Sequence, residues 1–105
     1  MRKFQVPEIY MLATLCHLAN GDTVAAQDGI ETYKNAAYNF EDSRECKFVT
    51  ELLEQVEGQD ADAYADAVAK YDRVKKLDPM MTNVLWKIKK LIAKAEGEAE
   101  DADLL

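Results

Sequence analysis

The sequence predicts an all-α protein built from a short stack of helical hairpins. Three observations support this fold class. Five amphipathic segments, each with apolar residues at helical spacing, follow one another along the 105 residues. No segment shows the strict alternation of apolar and polar residues that is typical of a β-strand. The chain also repeats itself at a spacing that matches one pair of helices and its turns.

The first two helices are predicted over about residues 7–19 and 22–38. Pro7 suits a first helical position, Asn20-Gly21 suits a helix end, and Asp22 is a good N-cap for the second helix. The first helix is apolar around most of its circumference, so it needs cover from more than one side. Its two apolar stripes are Ile9, Leu12 and Cys16, and Met11, Leu15 and Leu18.

The third helix is predicted over residues 43–57, where Asp42 and Glu45 have the spacing of a capping box. The fourth begins after Asp60, and the fifth begins at Asp78-Pro79, an N-cap followed by a proline. A buried stripe is predicted for each helix from the second to the fifth. The stripes are Ala26, Ile30, Tyr33 and Ala37; Phe48, Val49, Leu52, Leu53 and Val56; Tyr64, Ala67, Val68, Tyr71 and Val74; and Met81, Val84, Leu85, Ile88 and Ile92.

The internal repeat is 38 residues long, which is the difference between the numbers of Tyr71 and Tyr33. The same shift places Leu15 on Leu53, Asp22 on Asp60, Gly29 on Ala67 and Ile30 on Val68. Small residues let two helices approach, and the aromatic residue fills the seam to the next hairpin. The stretch "AYADAVAKYDRVKKLDP" resembles the second helix of a tetratricopeptide repeat. The predicted architecture is therefore a tetratricopeptide-like right-handed α-solenoid fragment over residues 1–95.

Negative charge is concentrated at the end of the sequence. The formal net charge is −7, from 20 acids and 13 bases. Five acids lie in the last ten residues, so 15 acids remain against 13 bases elsewhere, which is near −2. An acidic chain is a poor partner for nucleic acid and a better one for a basic protein. Residues 96–105 are too polar to fold, so we expect a disordered acidic tail ending in Leu-Leu.

No pattern in the sequence predicts catalysis. His17 is the sole histidine and has no partner at triad spacing, and the four glycines form no phosphate-binding loop. Asp101 and Asp103 lack the glycine turn and ligand number of a calcium loop. Cys16 and Cys46 are too few for a disulfide or zinc framework. We expect a non-enzyme without cofactor or metal. No signal peptide or membrane-spanning stretch appears, which favours a cytoplasmic location.

Longer stretches carry a more specific signal: "FEDSRECKFVTELLEQVEGQD", "YADAVAKYDRVKKLDP", "VLWKIKKLI" and the acidic ending with its leucine. Over about residues 8–105 they resemble the carboxy-terminal third of the soluble NSF attachment proteins. The resemblance implies an adaptor that recruits and stimulates the NSF ATPase for SNARE complex disassembly in vesicle fusion and intracellular protein transport. It also implies that the SNARE bundle and the membrane are contacted mostly through an upstream part of such proteins, giving a cytoplasmic location peripheral to membranes.

The resemblance further implies which residues contact NSF. The matching positions are Asp22, Glu54, Glu57 and Leu104, with Glu51 and Leu105 as additional candidates. Family members often carry another acid directly after the position of Glu57, whereas Gly58 stands there in this chain.

Two other interpretations remain open at this point. In the first, the chain is an independent tetratricopeptide-like scaffold that binds other protein partners. In the second, residues 100–105 form an acidic dileucine sorting signal. Sorting signals of that kind act on membrane cargo, and no stretch here reaches membrane-spanning length. The dileucine interpretation is therefore the weaker of the two.

Overall fold

Five helices follow one another along the chain in a computed structural model, which describes residues 6–37 and 39–104, the last nine by their backbone alone. The helices are α1 (Val6–Ala19), α2 (Thr23–Ala36), α3 (Arg44–Glu57), α4 (Ala61–Val74) and α5 (Pro79–Leu104). The described residues contain no strand. Every predicted helix is present, and the predicted boundaries agree within two residues. The all-α fold class, a stack of helical hairpins, is confirmed.

Aspartate side chains cap three of the helices. Asp22 Oδ1 accepts a hydrogen bond from the Ala25 N–H at 2.9 Å, and Asp60 Oδ1 accepts one from the Ala63 N–H at 3.0 Å. Asp78 caps α5 with the same geometry at 2.9 Å. A cap of this kind contributes about 1 kcal/mol of stability. The helix starts predicted from these three aspartates are therefore confirmed.

The capping box predicted from Asp42 and Glu45 is wrong. Ser43 is the N-cap of α3, because its Oγ accepts a hydrogen bond from the Cys46 N–H at 3.0 Å. Glu45 instead points into the protein, where its Oε2 accepts a 2.8 Å hydrogen bond from the Tyr71 hydroxyl. Residue 71 belongs to another helix, so local spacing could not reveal this competing partner.

The 38-residue repeat is present in the turns. Gly21 has a φ of 77° and Gln59 a φ of 54°, and within the described part of the chain no other residue has a positive φ. These two residues lie one repeat apart, each directly before the aspartate that caps the next helix. The two hairpin turns therefore share one backbone conformation.

Stacked aromatic rings show the same repeat inside the hairpins. Tyr10 of α1 stacks on Tyr33 of α2 with ring centroids 4.3 Å apart. One repeat later, Phe48 of α3 stacks on Tyr71 of α4, also at 4.3 Å. Each pair joins the two helices of its hairpin, so both hairpins are closed by the same contact.

Helix α5 does not continue the stack in the manner of the first two hairpins, since it packs against both α4 and α1. The Tyr64 hydroxyl of α4 donates a 2.7 Å hydrogen bond to the Leu85 carbonyl of α5. Ile88 and Ile92 belong to the same buried core as the inner stripe of α1, which is Met11, Leu15 and Leu18. Helix α5 thus helps to supply the second cover that the apolar first helix needs.

The second stripe of α1 remains largely open: Ile9 is 50% exposed and Cys16 is exposed, while Leu12 is partly buried. None of the helices in the described residues is long and apolar enough to cross a membrane. The backbone of α5 is helical through the acidic segment, but the side chains of residues 96–105 lie outside the described residues. The division into a domain of residues 1–95 and a disordered tail stays a prediction.

Candidate functional site

The two Asp-capped turns lie at the same end of the molecule because consecutive helices of the stack run in opposite directions. Residues 20–22 join α1 to α2, and residues 58–60 join α3 to α4. Helices α1 and α3 pack against each other, so the two turns are neighbours. Acidic residues gather at this end. We call them the acidic edge, which consists of Asp22, Glu51, Glu54, Glu57 and Asp60.

The side chains of the acidic edge are available to a partner. All except the partly buried Glu51 are exposed. Glu51 and Glu54 line a shallow hollow beside α3, together with Lys34 and Lys47. Among the described residues, no ion pair within 4.0 Å involves any member of the acidic edge. Uncompensated carboxylates at an exposed edge attract a basic protein surface.

Asp22 has a second role that the sequence resemblance did not reveal. Its carboxylate caps α2, so replacing Asp22 by lysine removes a helix cap together with a negative charge. Replacement by asparagine removes the charge alone, because asparagine is an equally good N-cap. The two effects can therefore be separated in an experiment.

Gly58 interrupts the acidic edge without any need for glycine in the backbone. It ends α3 in a right-handed helical conformation with φ −81°, which any residue adopts. An added Cβ would lie 3.2 Å from the Glu54 carbonyl oxygen, so an acid at position 58 requires that carbonyl to move by a few tenths of an ångström.

Helix α5 carries the acidic segment toward the same end. It begins after Asp78, at the end opposite to the turns, and has 26 residues where each of the other helices has 14. At 1.5 Å per residue, its length is about 39 Å against about 21 Å. Of the predicted NSF contacts, Leu104 is the last residue of α5 and its side chain is outside the described residues, whereas Leu105 lies wholly outside them.

Asp60 is a member of the edge that was not predicted from the sequence. The internal repeat contained the signal, because the shift of 38 residues places Asp22 on Asp60. The structure places both residues in equivalent exposed caps with a φ of −107°. Asp60 therefore belongs to the site on the same geometric grounds as Asp22.

A buried polar cluster at the opposite end joins three helices. Glu8 of α1 is 2.7 Å from Lys75, which follows α4, and Tyr71 donates to Glu45 of α3. Burial raises the pKa of the Tyr71 hydroxyl, and the hydrogen bond to Glu45 raises it further. The hydroxyl therefore stays protonated and donates. This cluster holds α1, α3 and α4 in register and lies away from the acidic edge.

No catalytic or metal-binding arrangement accompanies the acidic edge in the described residues. His17 is partly buried on α1, and no three metal-ligating side chains come together in the described part of the chain. Stacked hairpins with an exposed acidic edge are typical of a protein-interaction module.

The family model of the soluble NSF attachment proteins, SNAP, matches residues 1–93. The chain therefore belongs to the soluble NSF attachment protein family. This result confirms the resemblance drawn from the quoted stretches, and it favours the attachment-protein interpretation over an independent scaffold.

Individual relatives agree with this assignment. The chain is 37% identical to the alpha-soluble NSF attachment protein of Mus musculus, over 94% of this chain and 32% of the relative. Identity is 38% to the beta-soluble NSF attachment protein of Bos taurus, over 97% of this chain and 33% of the relative. The chain is 37% identical to the vesicular-fusion protein SEC17 of Coprinopsis cinerea, over 92% of this chain and 34% of the relative. The chain thus spans about a third of the length of these relatives, whose names describe attachment and fusion proteins rather than enzymes.

No solved structure shows a significant match to the chain.

Proposed function

We propose that this chain is an adaptor that recruits and stimulates the NSF ATPase for SNARE complex disassembly in vesicle fusion and intracellular protein transport. The observation that carries the proposal is the acidic edge, whose carboxylates form no ion pair with any described residue and lie at the end of the molecule toward which α5 carries the acidic segment. The names of the relatives, which are NSF attachment proteins, support NSF as the partner.

The proposed contact is electrostatic. Asp22, Glu54 and Glu57 would face a basic surface of NSF, and each exposed pair contributes about 0.2–1 kcal/mol. Asp60 would add a fourth charge. Because exposed pairs are screened by salt, binding should weaken as ionic strength rises. Hydrolysis of ATP is the work of NSF in this proposal, and the chain itself supplies no catalytic group.

The SNARE bundle would be contacted mostly by the portion of the longer relatives that this chain does not match, as would the membrane. The site of action would be cytoplasmic and peripheral to membranes. Within this division of roles, the part described here presents charge to NSF and holds the acidic segment in position.

The test is binding to immobilised NSF by a triple variant, Asp22→Asn, Glu54→Gln and Glu57→Gln, which keeps the α2 cap. A matched control, Asp28→Asn, Asp42→Asn and Asp66→Asn, removes the same number of charges from exposed positions outside the acidic edge and its hollow. The edge variant should lose about tenfold in affinity, since three exposed pairs sum to roughly 0.6–3 kcal/mol. Equal losses in the two triples, or salt-independent binding, would show that the edge is only a solvated surface.

A further inference from the structure

An apolar groove lies between α4 and α5, on a different surface from the acidic edge. We call it the α4–α5 groove; its apolar lining includes Val68, Leu77, Leu85 and Trp86. The hollow has a volume of about 290 Å³. A second hollow is also lined by Leu77 and Trp86, so it adjoins the first at the start of α5.

Trp86 is the feature of this groove that needs explanation. It is the sole tryptophan of the chain, and 58% of it is exposed. The Lys90 ammonium lies 4.4 Å from the centre of its ring. A large aromatic side chain left open beside an apolar hollow is typical of the central contact residue of a protein interface.

Two hydrogen bonds hold the groove in shape. The Tyr64 hydroxyl is bound to the Leu85 carbonyl at 2.7 Å, which ties α4 to α5 along the groove floor. Asp72 Oδ1 accepts a 2.9 Å hydrogen bond from the Leu77 N–H, which fixes the turn between the helices. A preformed groove loses little conformational freedom when a ligand binds.

The charge around the groove is asymmetric. Lys89 lines the groove on the α5 side, and residues 79–95 of α5 carry four lysines and no acid. Those four lysines form no ion pair with any described residue. The acid in the groove lining, Asp72, is already bonded to the Leu77 N–H. On the α5 side, Lys89 therefore lies beside the apolar floor without an ion pair among the described residues, and Lys90 lies over the neighbouring Trp86 ring.

We propose that the α4–α5 groove binds an acidic amphipathic segment of a protein partner, with its apolar side chains against Trp86 and its carboxylates beside Lys89 and Lys90. A protein segment fits better than an anionic membrane because Asp62 and Asp66 are exposed on α4 beside the groove. A flat anionic surface would meet these acids, whereas a helix can turn its carboxylates toward α5 alone.

The test uses Trp86 as the reporter in the complete chain, since no other tryptophan contributes to the emission. The probe is a synthetic amphipathic peptide of about 14 residues, four helical turns, with leucines at spacings of three and four and glutamates on its polar face. A matched peptide carries lysines in place of the glutamates. The acidic peptide should shift the Trp86 emission to shorter wavelength and saturate, and the basic peptide should bind at least about tenfold more weakly.

Two charge variants separate the groove from the general charge of α5. Lys89→Glu should weaken binding of the acidic peptide by about tenfold, because residue 89 lines the groove. Lys87→Glu makes the same charge change two residues away, at an exposed position that lines neither hollow, and should change binding less than about twofold. Trp86→Ala, followed through a labelled peptide, should abolish saturable binding while the helical circular dichroism signal is retained.

Several outcomes would overturn the proposal. These are equal affinity for the two peptides, equal effects of the two lysine variants, or an emission shift with phosphatidylserine vesicles and none with the acidic peptide. If removal of residues 96–105 shifts the Trp86 emission and exposes the groove, the occupant is the chain's own acidic segment, and an external partner is refuted. NSF binding by Lys89→Glu should be unchanged, so this proposal and the function proposed for the acidic edge can fail independently.

Discussion

Gln59 holds a left-handed backbone conformation that the equivalent residue of the first hairpin, Gly21, adopts at no steric cost. The φ angles are 54° and 77°. A left-handed conformation costs a residue with a side chain roughly 1–2 kcal/mol of stability. Glycine avoids this strain, but its greater conformational freedom in the unfolded chain offsets part of the gain. We expect Gln59→Gly to raise the free energy of unfolding by up to about 1 kcal/mol.

The reverse change provides the control. Gly21→Ala should lower the free energy of unfolding by about 1 kcal/mol. An added Cβ at position 21 would meet no atom within 4 Å, so backbone strain is the sole native-state effect. Urea denaturation measures both changes, and the same sign for both would contradict the equivalence of the turns.

Tyr71 and Tyr33 differ in what their hydroxyl groups contact, although they occupy the same place in the repeat. Tyr71 donates to the carboxylate of Glu45, which is only 6% exposed. Tyr71→Phe removes this hydrogen bond and leaves the carboxylate with only the Arg44 side chain, 3.7 Å away. The substitution should therefore lower the free energy of unfolding by roughly 1.5–3 kcal/mol. The Tyr33 hydroxyl makes no hydrogen bond to any described residue, and Tyr33→Phe should change stability by less than about 0.5 kcal/mol. Similar losses in thermal or urea unfolding would refute the role of the buried carboxylate.

At the scale of the element, α5 is the helix whose position matters most. Its inward residues join the core that α1 and α4 build, and its outward residues include four lysines, Trp86 and Leu91. The same helix therefore closes the core, forms one wall of the α4–α5 groove and leads into the acidic segment. A change at its buried face should disturb all three.

Ile92 and Leu91 test this view of α5, because they are neighbours on opposite sides of the packing surface. Ile92 is 2% exposed and Leu91 is 41% exposed. Ile92→Ala should lower the free energy of unfolding by about 2–5 kcal/mol through lost burial and the cavity left behind, and Leu91→Ala by less than about 1 kcal/mol. If chemical denaturation shows equal effects, α5 does not pack against the core through this face.

For the whole molecule, the two hairpins differ in what they present to solvent. The open face of α1 carries Val6, Ile9 and Cys16, and the shift of 38 residues places these on Arg44, Lys47 and Glu54 of α3. Val6 is 47% exposed and Ile9 is 50% exposed. The 105-residue chain should therefore be a helical monomer that self-associates at high concentration through α1.

Ile9→Lys tests this expectation, because it gives the first hairpin the residue found at the equivalent position of the second. The change should reduce self-association measured by sedimentation equilibrium, and it should leave stability within about 0.5 kcal/mol. Lys47→Ile is the reciprocal control and should increase association. A strictly monomeric parent chain at all concentrations would contradict the prediction.

The terminal leucines belong to the same scale, because their effect is expected on a partner rather than on this fold. Burying one leucine contributes about 1.5–3 kcal/mol, and ordering each residue of a tail costs roughly 1–2 kcal/mol. The two nearly cancel, so Leu104 should add little to affinity and act by favouring an active state of NSF. Leu104→Ala should leave NSF recruitment nearly intact and lower its stimulated ATPase rate, and the double change with Leu105→Ala should be more severe.

A transplant makes this prediction testable in disassembly. The last ten residues of a full-length attachment protein are replaced by residues 96–105 of this chain, with and without the two alanine substitutions. SNARE disassembly is then measured with NSF. Unchanged disassembly by the double variant would reduce the segment to an acidic solubiliser.

The sequence alone determined the five helices, because helix caps and apolar spacing act within a few residues of one another. Asp22, Asp60 and Asp78 start helices as predicted, and the repeat placed the two hairpins in equivalent positions. Four acids of the acidic edge, all except Asp60, were also named from the sequence, although through a family resemblance, and their role is a proposal. The helices were predicted from local interactions, and the acids were predicted from stretches that resemble a known family.

Only the tertiary structure decided where α5 goes and what Glu45 contacts. Helix α5 packs against α1, and Glu45 accepts a hydrogen bond from Tyr71 of α4 instead of taking part in the predicted capping box. The open groove beside Trp86 exists only because α4 and α5 pack at a particular distance. These contacts join residues far apart in the chain. They depend on the one packing arrangement in which every helix buries its apolar face and its buried polar groups find hydrogen-bond partners. Sequence spacing describes one helix at a time, so it could not choose among such arrangements.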